Sequence, residues 1–87
     1  MPRGAEIERL LASEDWAGAR RAIRSQLRLS PDSHWLISRL AMTHYEQREY
    51  AKAHELGARA LHLAPRCPLV LWGYAGSLEM LGRTAEA

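Results

Sequence analysis

Two stretches of this chain carry the same pattern at an offset of 34 residues: Asp15–Pro31 reads DWAGARRAIRSQLRLSP and Glu49–Pro65 reads EYAKAHELGARALHLAP. Each opens on an acid and an aromatic, places an Ala three residues after the aromatic, and closes on Leu-x-Leu-x-Pro. The same offset relates Trp16 to Tyr50 and Thr84, Ala17 to Ala51 and Ala85, and Ala19 to Ala53 and Ala87. A fixed period of this length marks stacked supersecondary units, none of which can bury its apolar face alone. A chain of 87 residues holds two such units and the start of a third. The units fall at about 1–33, 34–67 and 68–87, the last truncated, within one domain spanning 1–87.

Within each unit the periodicity is helical. Ile37, Leu40, Ala41 and His44 recur at the spacing of one helix face, and Ala53, Leu56, Gly57, Ala60 and Leu61 form a second. Arg48-Glu49 lies between the two runs, where a tight turn is needed. Pro31 and Pro65 end the second helix of their units, since proline lacks the amide donor and disfavours helix just before it. Asp32 or Ser33 can cap the next helix, as can Cys67 with Pro68 at the first helical position. The pattern predicts helices over 3–13, 16–29, 33–46, 50–63 and 68–81, with 83–87 the first turn of a sixth. Ala19 and Ala53 are placed where the two helices of a unit cross, because a methyl group there lets the axes approach within about 8–10 Å. Trp16 and Tyr50 then fill the wedge beside each turn.

These residues resemble the tetratricopeptide repeat family. The second unit supplies Ile37, Leu40-Ala41, His44, Tyr50, Ala53, Gly57, Ala60 and Pro65; the third supplies Leu71, Tyr74-Ala75, Leu78, Gly82 and Ala87; the first supplies Trp16, Ala19, Ile23 and Pro31. Four departures stand out: His44 replaces a tyrosine, Gly57 a bulky residue and Gln26 an alanine, and Arg3 and Glu6 occupy slots of the first helix that are usually apolar. The resemblance implies an all-α, right-handed α-solenoid of antiparallel helix hairpins, about two and a half repeats long. It also implies a concave groove lined by the first helix of each unit. Carried over, the partner-binding positions are Trp35, Ser38, Met42 and Tyr45 in the second unit and Leu69, Trp72 and Met80 in the third. Glu46, Gly76 and Glu79 lie among them, and the first unit offers Gly4, Glu8, Leu11 and Ala12. Family members that grip acidic C-terminal tails use Lys, Asn and Arg at five positions that here hold Gly4, Glu8, Met42, Trp72 and Gly76. None of these side chains donates a charge-assisted bond to a carboxylate. The groove is instead apolar and aromatic, with methionine as an adaptable filler and Trp and Tyr as anchors. The expected partner is a protein or peptide segment with apolar side chains, and a chaperone-like holder of such a segment is a special case.

Other signals point elsewhere. The fifth helix, CPLVLWGYAGSLEMLG, carries a single charge, Glu79, whereas the terminal helix of a solenoid has a polar outer face. A fragment of a longer array, or a homodimer through this helix, accounts for that, and self-association is the alternative function. Arg20, Arg24 and Arg28 form a basic stripe on the second helix, the basis of a further alternative as a nucleic-acid-binding repeat. The net charge is only +2 and no aromatics interleave with the arginines, so a solvated face is the expectation. His34, His44, His54 and His62 lack metal-ligand spacing, and no phosphate loop or nucleophile–base pair is present. The sequence reading therefore assigns no cofactor, metal or catalytic residue, with His44 a core residue and the other histidines at the surface. One cysteine, a charged N-terminus and no long apolar run lead to the expectation of a cytoplasmic protein without membrane association.

Overall fold

The computed structural model describes residues 3–86, with the side chains of 4–83. Five helices follow one another: α1 (Arg3–Ala12), α2 (Trp16–Leu29), α3 (His34–Glu46), α4 (Tyr50–Leu63) and α5 (Pro68–Glu86). Among the described residues there is no strand. Each helix packs against its neighbour in sequence, and α3 also packs against α5, giving a stack measuring 44 × 27 × 19 Å. Contact between the first helices of successive units, over the intervening one, is the geometry of a helical repeat solenoid.

Local chemistry starts and stops the helices. Asp15 caps α2 by accepting from the Gly18 amide at 3.0 Å, and Ser33 caps α3 by accepting from the Leu36 amide at 3.3 Å. A methyl group on Gly18 would collide with that capping carboxylate. Glu49, in the repeat register of Asp15, makes no side-chain cap. The α1–α2 and α3–α4 turns each place one non-glycine residue in the left-handed region, Glu14 at φ 59° and Arg48 at φ 63°.

The core is a continuous apolar spine through the stack. Ile7 and Leu11 of α1, Ala19 and Ile23 of α2, Leu36, Ile37, Leu40 and Ala41 of α3, Leu56 and Ala60 of α4, and Val70 of α5 are all buried. Ala19 and Ala53 are both buried, as expected of residues at helix crossings. Trp16 packs half-buried against the core, and Tyr50 meets Tyr45 edge-on with ring centroids 5.3 Å apart.

One boundary departs from expectation. The repeat places a turn at Gly82, 34 residues after Arg48, and a new helix from 83. The structure instead carries α5 without interruption to Glu86, so there is no sixth helix among the described residues. Glu14 and Arg48 are held in their left-handed turns by a following helix that packs back on the preceding one. Among the described residues no second arm packs back after Gly82, and unbroken i→i−4 bonding is then the favoured state. Ala87, the last repeat match, lies outside the described residues.

Candidate functional site

Helices α3 and α5 lie side by side and leave a cavity of about 210 Å³ between them. Its wall on α3 is formed by Ser38, Arg39, Ala41, Met42, Tyr45 and Glu46, and its wall on α5 by Leu69, Val70, Trp72, Gly73 and Gly76. Five of the predicted binding residues are thus brought together: Ser38, Met42, Tyr45, Leu69 and Trp72. Tyr45 lies against Gly76, where an added Cβ would stand 3.7 Å from the ring. Gly73 faces open space, so the α5 wall is low and the cavity stays accessible from one side.

Polarity within the cavity is sparse. The Ser38 hydroxyl is buried without a hydrogen-bond partner. Arg39 bends away: its guanidinium pairs with Glu8 at 2.9 Å, contacts Met42 Sδ at 3.5 Å, and stacks over the Trp35 ring at 5.4 Å. Its charge is matched by Glu8. At the lip, Trp72 is 84% exposed, the largest uncovered apolar side chain among the described residues.

Two predicted binding residues fall outside the cavity wall. Trp35 is half-buried against the core, with its ring edge next to Gly4 of α1 and its face under Arg39. Met80 is half-buried one turn beyond Gly76 and does not line the cavity. In the first unit, Leu11 is a core residue rather than a groove residue, and Glu8 is engaged by Arg39. Gly73 and Arg39 escaped the sequence reading. Gly73 continues the helical row of Leu69, Trp72 and Gly76, so periodicity alone could have found it, whereas nothing local marks Arg39.

A second polar cluster joins α2 to the α3–α4 turn. Arg20 Nε donates to Thr43 Oγ1 at 2.9 Å, and its Nη2 reaches the Thr43 carbonyl at 3.3 Å and Glu49 Oε1 at 3.0 Å. His44 Nδ1 lies 2.9 Å from the same Glu49 oxygen, so Nδ1 carries the proton and the buried Nε2 is left without a partner. The Glu49 carboxyl is held below the usual carboxylate range, first by its hydrogen bond to His44 and then by the charges of His44 and Arg20. One member of the basic stripe of helix two departs from expectation: Arg20 is turned inward and engaged, while Arg21, Arg24 and Arg28 remain exposed. His44 is the core residue expected. His54 is not a surface residue: it is half-buried, stacks on Tyr74 at 4.7 Å and lies 3.3 Å from Ser77 Oγ. His34 is also half-buried.

No group of three or more metal-ligating side chains occurs among the described residues, and none of their helices is long and apolar enough to cross a membrane. None of the curated proteins compared with the chain matches it. The family model for the tetratricopeptide repeat matches residues 10–70, from the end of α1 to the first turn of α5. Repeats of that family in general mediate protein–protein interaction and are scaffolds rather than enzymes. With its 34-residue period, paired helices and shared spine, this chain belongs to the tetratricopeptide repeat family.

Proposed function

We propose that this chain is a protein-interaction module that receives an apolar or amphipathic peptide segment in the cavity between α3 and α5. The observation that carries the reading is Trp72. A tryptophan left 84% exposed at the lip of an apolar cavity is a binding anchor awaiting a partner. Met42 and Leu69 give the floor an adaptable apolar surface. With Arg39 already matched by Glu8, the exposed Glu46 is the remaining charge of the cavity wall, so the partner is recognised chiefly by shape and apolar burial. Binding should therefore depend weakly on salt.

The test is selection of peptides from a random displayed library against the chain, followed by titration of synthetic winners against the Met42→Glu/Trp72→Glu variant. Winners rich in Leu, Ile, Phe or Trp, whose binding falls by at least about tenfold in the variant, support the reading; tenfold corresponds to about 1.4 kcal/mol. Winners that bind the variant equally well would place the site elsewhere.

A further inference from the structure

We propose that two copies of this chain pair through α5, antiparallel, about a two-fold axis crossing the helix between Ala75 and Leu78. Unit two shows how this helix face is ordinarily used. On α3, Ile37, Ala41 and His44 are 0%, 9% and 8% exposed. Their counterparts one repeat later are Leu71, Ala75 and Leu78. Here Leu71 is 44% and Leu78 52% exposed, and Ala75 is exposed as well. Gly82 continues the row, and a Cβ built on it meets nothing. α5 thus presents to solvent the face that α3 buries. This face lies roughly 150° round the helix from Leu69, Gly73 and Gly76, so it is not the cavity described above.

The occupant follows from the order of side chains. Leu71, Ala75, Leu78 and Gly82 alternate large and small, at the four-three-four spacing of a helix–helix seam. Turning a second copy end over end sets Leu71 against Gly82 of the other copy and Ala75 against its Leu78. The row is its own complement, which an isologous interface requires. A parallel pair would instead oppose Leu to Leu and Gly to Gly, with clashes at one level and gaps at the next. Charge agrees with the antiparallel choice. Between Pro68 and Gly82 the one charged side chain is Glu79, and the two-fold brings it beside Trp72 of the other copy, an indole N–H donor.

Length and area agree as well. Because α5 continues past Gly82 it spans about 28 Å, about three turns of which carry the row. Leu71, Leu78 and Trp72 together leave on the order of 400 Å² uncovered per copy, so a pair would cover about 800 Å² before backbone and small residues are added. That lies below the roughly 1,200 Å² at which stable specific interfaces begin, and the dimer is accordingly weak and transient, with a Kd of roughly tens of micromolar.

Sedimentation velocity of the full chain from about 5 to 500 μM, a range bracketing that Kd, should show the weight-average mass rising toward a dimer. Leu78→Glu should hold it at the monomer with helix content unchanged, while Met42→Glu, in the cavity wall, should leave association intact. Register is tested by disulfide trapping in a Cys67→Ser background. Leu71→Cys mixed with Gly82→Cys should cross-link at least about tenfold faster than either variant alone, because the pairing raises their effective concentration. A chain that stays monomeric throughout, association unaffected by Leu78→Glu, or Leu71→Cys cross-linking to itself as fast as to Gly82→Cys would each overturn the proposal. Trp72 borders both surfaces, so the two sites are told apart by Met42→Glu alone, which weakens peptide binding without touching the α5 row, and by Leu78→Glu, which abolishes pairing without touching the cavity wall.

Discussion

Truncating Ile37 and Leu71 to alanine, one at a time, asks whether two residues at the same point of the repeat differ as their surroundings do. Each substitution removes three carbons. Ile37 is fully buried in the spine between α2, α3 and α4, so its lost transfer energy is about 2.5 kcal/mol at about 0.8 kcal/mol per methylene. The surrounding helices are fixed by their own packing and cannot collapse fully into the void, which brings the cost to about 3–4 kcal/mol. Leu71 already has 44% of its surface in water, and truncation opens no closed cavity, so about 1.5 kcal/mol is expected. A domain of this size has a total stability of about 4–13 kcal/mol, so Ile37→Ala removes a large share of it. The measurement is urea unfolding followed by far-ultraviolet circular dichroism at about 2 μM protein, well below the concentration at which α5 would pair. Equal costs at the two positions, or a larger cost at Leu71, would refute the assignment of the outer α5 face as uncovered.

Two further outcomes follow from the turns. The Glu49 carboxyl titrates below its ordinary value of 4.5, so its contribution to stability is complete above that value and is lost as pH falls through the lower, folded one. Glu49→Gln should therefore lower the urea midpoint at neutral pH and flatten the decline below pH 4.5; an acid limb as steep as that of the parent chain would contradict the role given to the His44–Glu49–Arg20 cluster. Arg48 stands at φ 63°, a conformation costly for a side chain with a Cβ. Arg48→Gly should raise the thermal midpoint by a few degrees, equivalent to about 0.5–1 kcal/mol, and a fall would show that the arginine side chain itself holds the turn.

Much of the scaffold was legible because the repeat states each rule more than once. The prolines and the alanines at the crossings each occupy equivalent positions, and all five helices begin within a residue of where the pattern puts them. What could not be read depends on groups remote in the chain. Arg20 and Arg24 look alike from spacing; only the Thr43 carbonyl and Glu49, more than twenty residues on, separate them. Trp35 and Trp72 also occupy similar slots. One has Gly4 and Arg39 as neighbours and the other has none comparable among the described residues, where α1 flanks one side of α3 and no helix flanks the outer side of α5. Gly82 reads as a turn by composition, yet a hairpin needs a second arm to pack down, and that requirement is invisible in a local window.

The guanidinium of Arg20 has a consequence for how the chain can be divided. It is encoded in the first repeat, yet it completes the elbow of the second, between Thr43 and Glu49. Cutting at Pro31, where the text of the repeat breaks, would strip that elbow of its clamp and leave the Glu49 carboxylate with His44 as its remaining partner. The written period and the thermodynamic building block are therefore out of phase, and an engineer who wishes to transplant one repeat should carry the helix before it as well.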